Sequence, residues 1–337
     1  GDVPIPKVGD KRWANMRSGH EQYCIGHMYE AAVAWYQATG KRNLLEAMEK
    51  NADLICSIFA PGKRTEPDGH QEIEIGLVRL YRITGNEKYL KQAKFFLDQR
   101  GRLGNRIKGE LYGEYGQDHI PVIEQTEAVG HAVRAVYMYS AMADIAAITG
   151  DMDYHKAIKL IWDDIVESKV YITGGIGSRR KGESFGEKYQ LPNETAYCET
   201  CASIGSAMWN HRMFLLSGQA KYMDMVERII YNAFLAGISL EGNSFFYPNR
   251  LTSVKGEKRS PWFGCACCPS NVCRFLPSIP GYAYANTGDA VYVTLFIAGK
   301  TDIDMKGKTV SITQQTRYPW DGAVAITIDS DKPAGFE

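Results

Sequence analysis

Eight cysteines, at positions 24, 56, 198, 201, 265, 267, 268 and 273, have the spacing that most readily does chemistry. Six fall in two tight groups. A disulfide scaffold would spread cysteines through a short, loop-rich chain; grouped cysteines among 337 residues point to metal or redox chemistry. Cys265-Ala266-Cys267-Cys268-Pro269 is the most informative run. Adjacent cysteines seldom bond to each other, because the ring they would close is strained. Metal ligation by thiolates is therefore the functional reading, and a cysteine-rich loop beside the core is the bland one. A structural zinc usually takes four ligands in a tetrahedron. The run Tyr197-Cys198-Glu199-Thr200-Cys201 could complete the set in two ways. Cys198/Cys201 with Cys265/Cys268 gives two C-x-x-C pairs. Glu199 with Cys201, Cys267 and Cys268 gives a mixed set. Spacing slightly favours four cysteines. Cys201 opens a helical run through Ile204, Met208, His211 and Leu215, so its thiol would sit near a helix N-terminus, where the dipole favours a thiolate. His211 is a further candidate ligand, with a polar helix-face residue as its plainer reading.

Acids and histidines come next. Glu183 follows the glycine-rich stretch Gly174-Gly175-Ile176-Gly177. No G-K-[ST] follows, so this is no phosphate loop. A carboxylic acid on a loop facing a cavity could act as a general acid; a solvated loop acid is the competing account. His27, His70 and His131 sit on or beside helical runs. Inner helices of a toroid would aim them at one pocket, although each taken singly reads as a structural histidine. Aromatic content of 11%, with 20 tyrosines, suits sugar stacking and equally suits an ordinary core.

The elements that must position these groups are mostly helical over the first ~285 residues, by apolar spacing. Ile25, Met28, Ala32 and Trp35 step as one buried helical face, and Leu45, Met48, Ala52 and Ile55 repeat it. Thr39-Gly40, Thr84-Gly85, Thr149-Gly150 and Ser217-Gly218 each end a helical run, and a new run starts within a few residues. Glycine there fits a left-handed cap, and so short a gap makes consecutive helices antiparallel. The recurrence predicts a helical array, either an open solenoid or a closed (α/α) toroid. Near Gly288 the period changes to two. Val291, Val293, Leu295 and Ile297 alternate with other residues, and Val310–Thr313 and Val324–Ile328 follow. The predicted division is 1–285, a catalytic (α/α) barrel, and 286–337, the start of a β domain. Both chain ends read as parts of a longer polypeptide.

Bulk composition excludes several classes. Hydrophobic residues make up 45% and charged residues 23%, ordinary for a globular protein. A formal net charge of +0 implies no polyanion partner, and the densest basic run, Arg179-Arg180-Lys181, is too short for a nucleic-acid patch. No apolar stretch reaches the ~18 residues of a membrane helix. Cellular location stays open between a bacterial cytoplasm, which suits free thiolates, and a periplasm, where a metal-held site could survive.

Taken together, the motifs resemble glycoside hydrolase family 127, which includes zinc-dependent β-L-arabinofuranosidases. The resemblance is carried by Tyr23-Cys24-Ile25-Gly26-His27, Gly69-His70-Gln71-Glu72, Glu127-Ala128-Val129-Gly130-His131, Gly182-Glu183-Ser184-Phe185, Glu199-Thr200-Cys201-Ala202-Ser203, Phe245-Phe246-Tyr247 and Trp262-Phe263-Gly264-Cys265-Ala266-Cys267-Cys268-Pro269. It implies an (α/α)6 barrel followed by β-sandwich domains. It implies zinc on Glu199, Cys201, Cys267 and Cys268 in place of the four-cysteine set, Cys267 as nucleophile and Glu183 as acid/base. It sets Glu227, Tyr247, His27, His70 and His131 in or around the sugar pocket. The expected partner is an oligosaccharide or glycan, and two copies would pair through the β domain. Three other readings compete. One keeps zinc structural and uses Glu183 and Glu199 as a carboxylate pair. Another is a sugar-binding protein without catalysis. The last is a metal-free epimerase with a histidine pair.

Overall fold

The computed structural model describes residues 8–253 and 256–330. Four helical hairpins come first: α1 (Glu21–Thr39) with α2 (Asn43–Ile58), α3 (Ile73–Thr84) with α4 (Glu87–Asp98), α5 (Ala132–Thr149) with α6 (Met152–Ser168), and α7 (Thr200–Ser217) with α8 (Ala220–Arg228). A π-helical turn, Ile229–Phe234, continues α8, and a ninth helix, α9 (Cys267–Phe275), follows a long loop. Gly40, Gly85, Gly150 and Gly218 all close their helices in the left-handed region, each sending its N–H to a carbonyl four residues back. The hairpin punctuation is thus built as the sequence predicts, and the array is of the (α/α) toroid kind.

Helices α1, α3, α5, α7 and α9 pack on one another in that order and form the inner layer, with the even-numbered helices outside. In α5 and α7 nearly every residue is buried, from Ala132 to Ala146 and from Thr200 to Asn210. Both are rich in small and apolar side chains, as an inner helix covered on all sides requires. Antiparallel outer helices intervene between inner ones, so the inner helices run parallel and present their N-termini at one end. Glu72, His131 and Glu199 are the N-cap residues of α3, α5 and α7, and Cys267 is the first residue of α9. The fold thus gathers the chemistry-bearing residues where helix dipoles favour negative charge.

Two expectations need correcting. The buried face of α1 is Gln22, Gly26, Tyr29, Ala32 and Val33, while Met28 and Trp35 are each 41% exposed. Close approach to α3 sets this face: a Cβ on Gly26 would lie 2.7 Å from the Glu72 carbonyl carbon. Counting apolar residues misses a face whose centre is a glycine and a glutamine. In the C-terminal part, β1 (Tyr284–Asn286) pairs antiparallel with β2 (Val291–Val293), and β3 (Gly299–Asp304), β4 (Thr309–Thr316) and β5 (Val324–Ser330) form an antiparallel meander. The alternation through Leu295 and Ile297 therefore makes strand only as far as Val293. The expected β segment beyond Ser330 lies outside the described residues. Among the described residues no helix is long and apolar enough to cross a membrane.

Candidate active site

Glu199, Cys201, Cys267 and Cys268 converge, their ligand atoms all within 4.8 Å of one another. Glu199 Oε1 lies 3.6 Å from the sulfurs of both Cys267 and Cys268. Cys201 Sγ is 3.6 Å from Cys268 Sγ, and Cys267 and Cys268 sulfurs are 3.9 Å apart. Four ligands held ~2.3 Å from a tetrahedral centre are separated by about 3.8 Å, so the spacing fits one cation and is far from a disulfide bond. Glu199 Oε2 is buried without a hydrogen-bond partner, a second sign of a group made for a cation. The cluster is compatible with a metal.

Its electrostatics agree. Burial, and then the neighbouring Cys267 charge, push Glu199 well above the usual carboxylate range. Burial likewise raises Cys201 and Cys268. Cys267 goes the other way: hydrogen bonds from Cys201 and Cys268, and then from Tyr247, hold its thiolate far below an ordinary thiol. Burial disfavours the charge on Glu199, Cys201 and Cys268, which a cation among them would offset. The Tyr247 hydroxyl lies 3.0 Å from Cys267 Sγ.

Cys198 does not join. Its backbone is left-handed, φ 41°, and its thiol packs among Tyr171, Ala196 and Gly175. Cys265 is exposed. The C-x-x-C spacing is therefore incidental, and the four-cysteine set is not assembled. His211 packs its ring against Tyr282, 4.3 Å between centroids, and takes no part.

Glu183 faces the cluster, with a carboxylate oxygen within 4.8 Å of one from Glu199. His131 Nε2 is 2.8 Å from Glu183 Oε2, and the Tyr197 hydroxyl donates to Oε1 at 2.7 Å. His131 Nδ1 accepts the Arg134 amide, so the proton sits on Nε2 and is donated to the carboxylate. The His131 bond, helped by Tyr197, depresses the Glu183 carboxyl below its ordinary value. Glu183 itself holds a positive φ of 50°, a conformation that costs a non-glycine residue about 1–3 kcal/mol and tends to cluster at functional sites. The loop is fixed by bridges from Ser184 to Arg179 and His131. Gly130, at φ +69°, is required beside it, because a Cβ there would lie 1.9 Å from the Glu114 carbonyl oxygen.

His70 and His27 complete the wall. His70 stands 5.7 Å from the His131 ring and 4.3 Å from that of Tyr23, which is 4.5 Å from His27. His70 Nδ1 donates to the Gln71 carbonyl at 2.8 Å, leaving Nε2 as an acceptor. Burial lowers His131, His70 and His27, the last to about 4 with help from Arg274, so all three are neutral at pH 7. The Glu227 carboxylate accepts a hydrogen bond from the Tyr318 hydroxyl, in the β region, at 2.5 Å. Sequence reading missed Tyr23, Tyr137, Tyr197 and Arg274. Tyr197 lay in view, two residues before Glu199, but tyrosines are too common in this chain to stand out.

The profile for the beta-L-arabinofuranosidase GH127 catalytic domain matches residues 5–281, and that for the GH127 middle domain matches 290–337. A non-reducing end beta-L-arabinofuranosidase from Bifidobacterium longum is 36% identical over 94% of this chain and 52% of its own length. A GH127 beta-arabinofuranosidase structure is 54% identical with a TM-score of 0.91, covering 96% of this chain and 51% of that one. A GH127 beta-L-arabinofuranosidase from Geobacillus stearothermophilus T6 is 44% identical with a TM-score of 0.92, covering 96% and 55%. The chain thus spans about half the length of these relatives. With a catalytic-domain match over most of its residues, it belongs to glycoside hydrolase family 127.

Proposed function

We propose that this chain forms the catalytic part of a retaining, exo-acting glycoside hydrolase that releases β-linked L-arabinofuranose or a closely related plant-glycan sugar. One observation carries the reading: the Cys267 thiol and the hydrogen-bonded Glu183 carboxyl each lie within 4.8 Å of Glu199. Glu183 gives its proton to the glycosidic oxygen as the C1–O bond breaks and Cys267 Sγ bonds to C1. Water then attacks C1, its proton passes to Glu183, and the S–C1 bond breaks to restore the thiolate. Glu199, Cys201, Cys267 and Cys268 would hold zinc, which supplies the positive charge that keeps the thiols ionised at neutral pH. Neutral His27 and His70 would accept hydrogen bonds from sugar hydroxyls. Pairing of two copies through the β region belongs to the same proposal; Trp320 there is 89% exposed, and a monomeric light-scattering mass would remove it.

A second reading has its own support. Glu183 and Glu199 bring one oxygen each to within 4.8 Å, near enough for the two-carboxyl arrangement of retaining enzymes. Against it, Glu199 is buried to 2% exposure and points one oxygen at two sulfurs. Metal-loaded full-length protein incubated with a β-L-arabinofuranose-configured epoxide separates the two by peptide mapping. An adduct on Cys267 is expected. An adduct on Glu199 would move the nucleophile to the carboxylate, and no adduct on metal-loaded protein would sink the sugar assignment.

Tyr197 offers a finer check. Its hydroxyl is one of two donors to Glu183 and is not needed for packing of the ring. Tyr197→Phe should lower kcat roughly tenfold, the worth of one charge-assisted hydrogen bond. Removing a donor to the carboxylate raises its pKa, so the limb of the pH–rate profile set by Glu183 should move to higher pH. An unmoved limb would show that Tyr197 does not tune this acid.

A further inference from the structure

Helix α9 begins at Cys267, and Asn271 and Arg274 follow it at i+4 and i+7, on the same face. This face is tied down by groups from three inner helices. Asn271 Nδ2 donates to the Tyr137 hydroxyl on α5 at 2.9 Å, and Arg274 Nη1 reaches the same hydroxyl at 3.3 Å. Arg274 Nη2 pairs with Glu30 on α1 and, at 3.3 Å, with Glu72 Oε1 at the N-cap of α3. That Glu72 oxygen also lies 3.1 Å from His27 Nδ1. Glu72 is fully buried, and its second oxygen has no partner. His27, Glu30 and Glu72 could by their spacing hold a cation, but the Arg274 guanidinium already supplies the positive charge there. The cluster is therefore a clamp. It spans from the helix of the thiol to the histidine wall through one carboxylate.

We propose that Arg274 and Glu72 are positioning residues: Arg274 fixes the helix that begins at Cys267 against α1, α3 and α5, and Glu72 holds His27 with its proton on Nδ1 and its Nε2 free to accept a sugar hydroxyl. The proposal rests on the reading of Cys267 as nucleophile. A thiol displaced by a fraction of an ångström loses its line of attack, and misplacement of about 1 Å can cost ~100-fold in rate. Loosening the helix at the same time exposes the half-buried sulfur. A general loss of stability would also lower kcat and expose thiols, but it would expose the buried Cys198 together with Cys267, whereas loosening of this helix exposes Cys267 and leaves Cys198 protected.

The test uses full-length, metal-loaded Arg274→Met, with folding checked by circular dichroism and metal content. Two readouts are taken: kcat and KM on an aryl β-L-arabinofuranoside, and the rate of Cys267 alkylation by iodoacetamide relative to exposed Cys24 and to buried Cys198, located by peptide mapping. We expect kcat to fall at least about tenfold with KM within roughly threefold, and the relative alkylation rate at Cys267 to rise about threefold or more. A folded variant in which neither changes overturns the proposal. If Arg274→Met does not fold, Arg274→Lys, which keeps a cation for Glu30, is read by the same two criteria. Faster alkylation in the variant with a wild type inactive on the arabinofuranoside would uphold the clamp and overturn the proposed substrate instead.

Discussion

Cys267→Ser should abolish turnover, with kcat falling on the order of 10⁴-fold or more, about 5–6 kcal/mol of transition-state stabilisation. The substitution changes one atom. It replaces a thiol that ionises readily in this cluster with a hydroxyl that stays protonated, so the attacking anion is lost. The Tyr247 hydroxyl, 3.0 Å from that sulfur, would then face an atom without charge. Cys268→Ser is the matched control: it makes the same sulfur-to-oxygen change one residue away, at a sulfur that is fully buried and in the same ligand cluster. If both cysteines only hold metal, the two variants should lose activity in proportion to metal lost. If Cys267 is the nucleophile, activity per bound metal should collapse in Cys267→Ser and survive in part in Cys268→Ser. Equal activity per metal in the two variants would return the thiols to a purely structural role and favour the Glu183/Glu199 pair.

How far these roles could be read from the sequence depends on how local the signal is. The capped hairpins were legible, because a glycine after an apolar helical run reports a conformation that few other residues adopt. So was the face of Leu45, Ala52 and Ile55, all fully buried. Legibility failed where partners are distant in the chain. Spacing alone paired Cys198 with Cys201, yet the backbone turns left-handed at Cys198 just before α7 starts, and the two thiols part. The ties from Glu227 to Tyr318 and from Arg274 to Glu30 span 91 and 244 residues, beyond any periodicity. The polar histidine wall was legible only as separate histidines, since its unity comes from parallel inner helices presenting their N-termini together. Resemblance to a family supplied the ligand set that spacing had ranked second.

Glu183→Gln is the other change with a large expected effect, and its outcome depends on the leaving group. Glu183 is asked to be an acid in the first step and a base in the second. The structure shows how one carboxyl can do both. His131 and Tyr197 donate to it and pull its pKa down, while the charge on Cys267 pushes it up. While Cys267 is an anion the carboxyl is better able to hold a proton; once the sulfur is bonded to the sugar its charge is gone, the remaining donors favour the carboxylate, and the group is ready to take a proton from water. Glutamine can do neither. With a natural glycan, whose departing oxygen needs a proton, kcat/KM should fall about 10²–10⁴-fold. An aryl glycoside with an acidic phenol leaves unaided, so its first step should be largely spared and the second should stall, lowering KM as the cysteine-linked sugar accumulates. Azide needs no base, and should restore turnover of the aryl substrate and give a glycosyl azide of retained configuration. Equal loss on both substrates with no azide rescue would remove Glu183 from acid/base catalysis, and an inverted azide product would remove the covalent intermediate. The amide also meets two donors, His131 Nε2 and the Tyr197 hydroxyl, with one acceptor atom. Some loss of order in the loop is therefore expected, and rescue by azide is the observation that separates lost chemistry from lost structure.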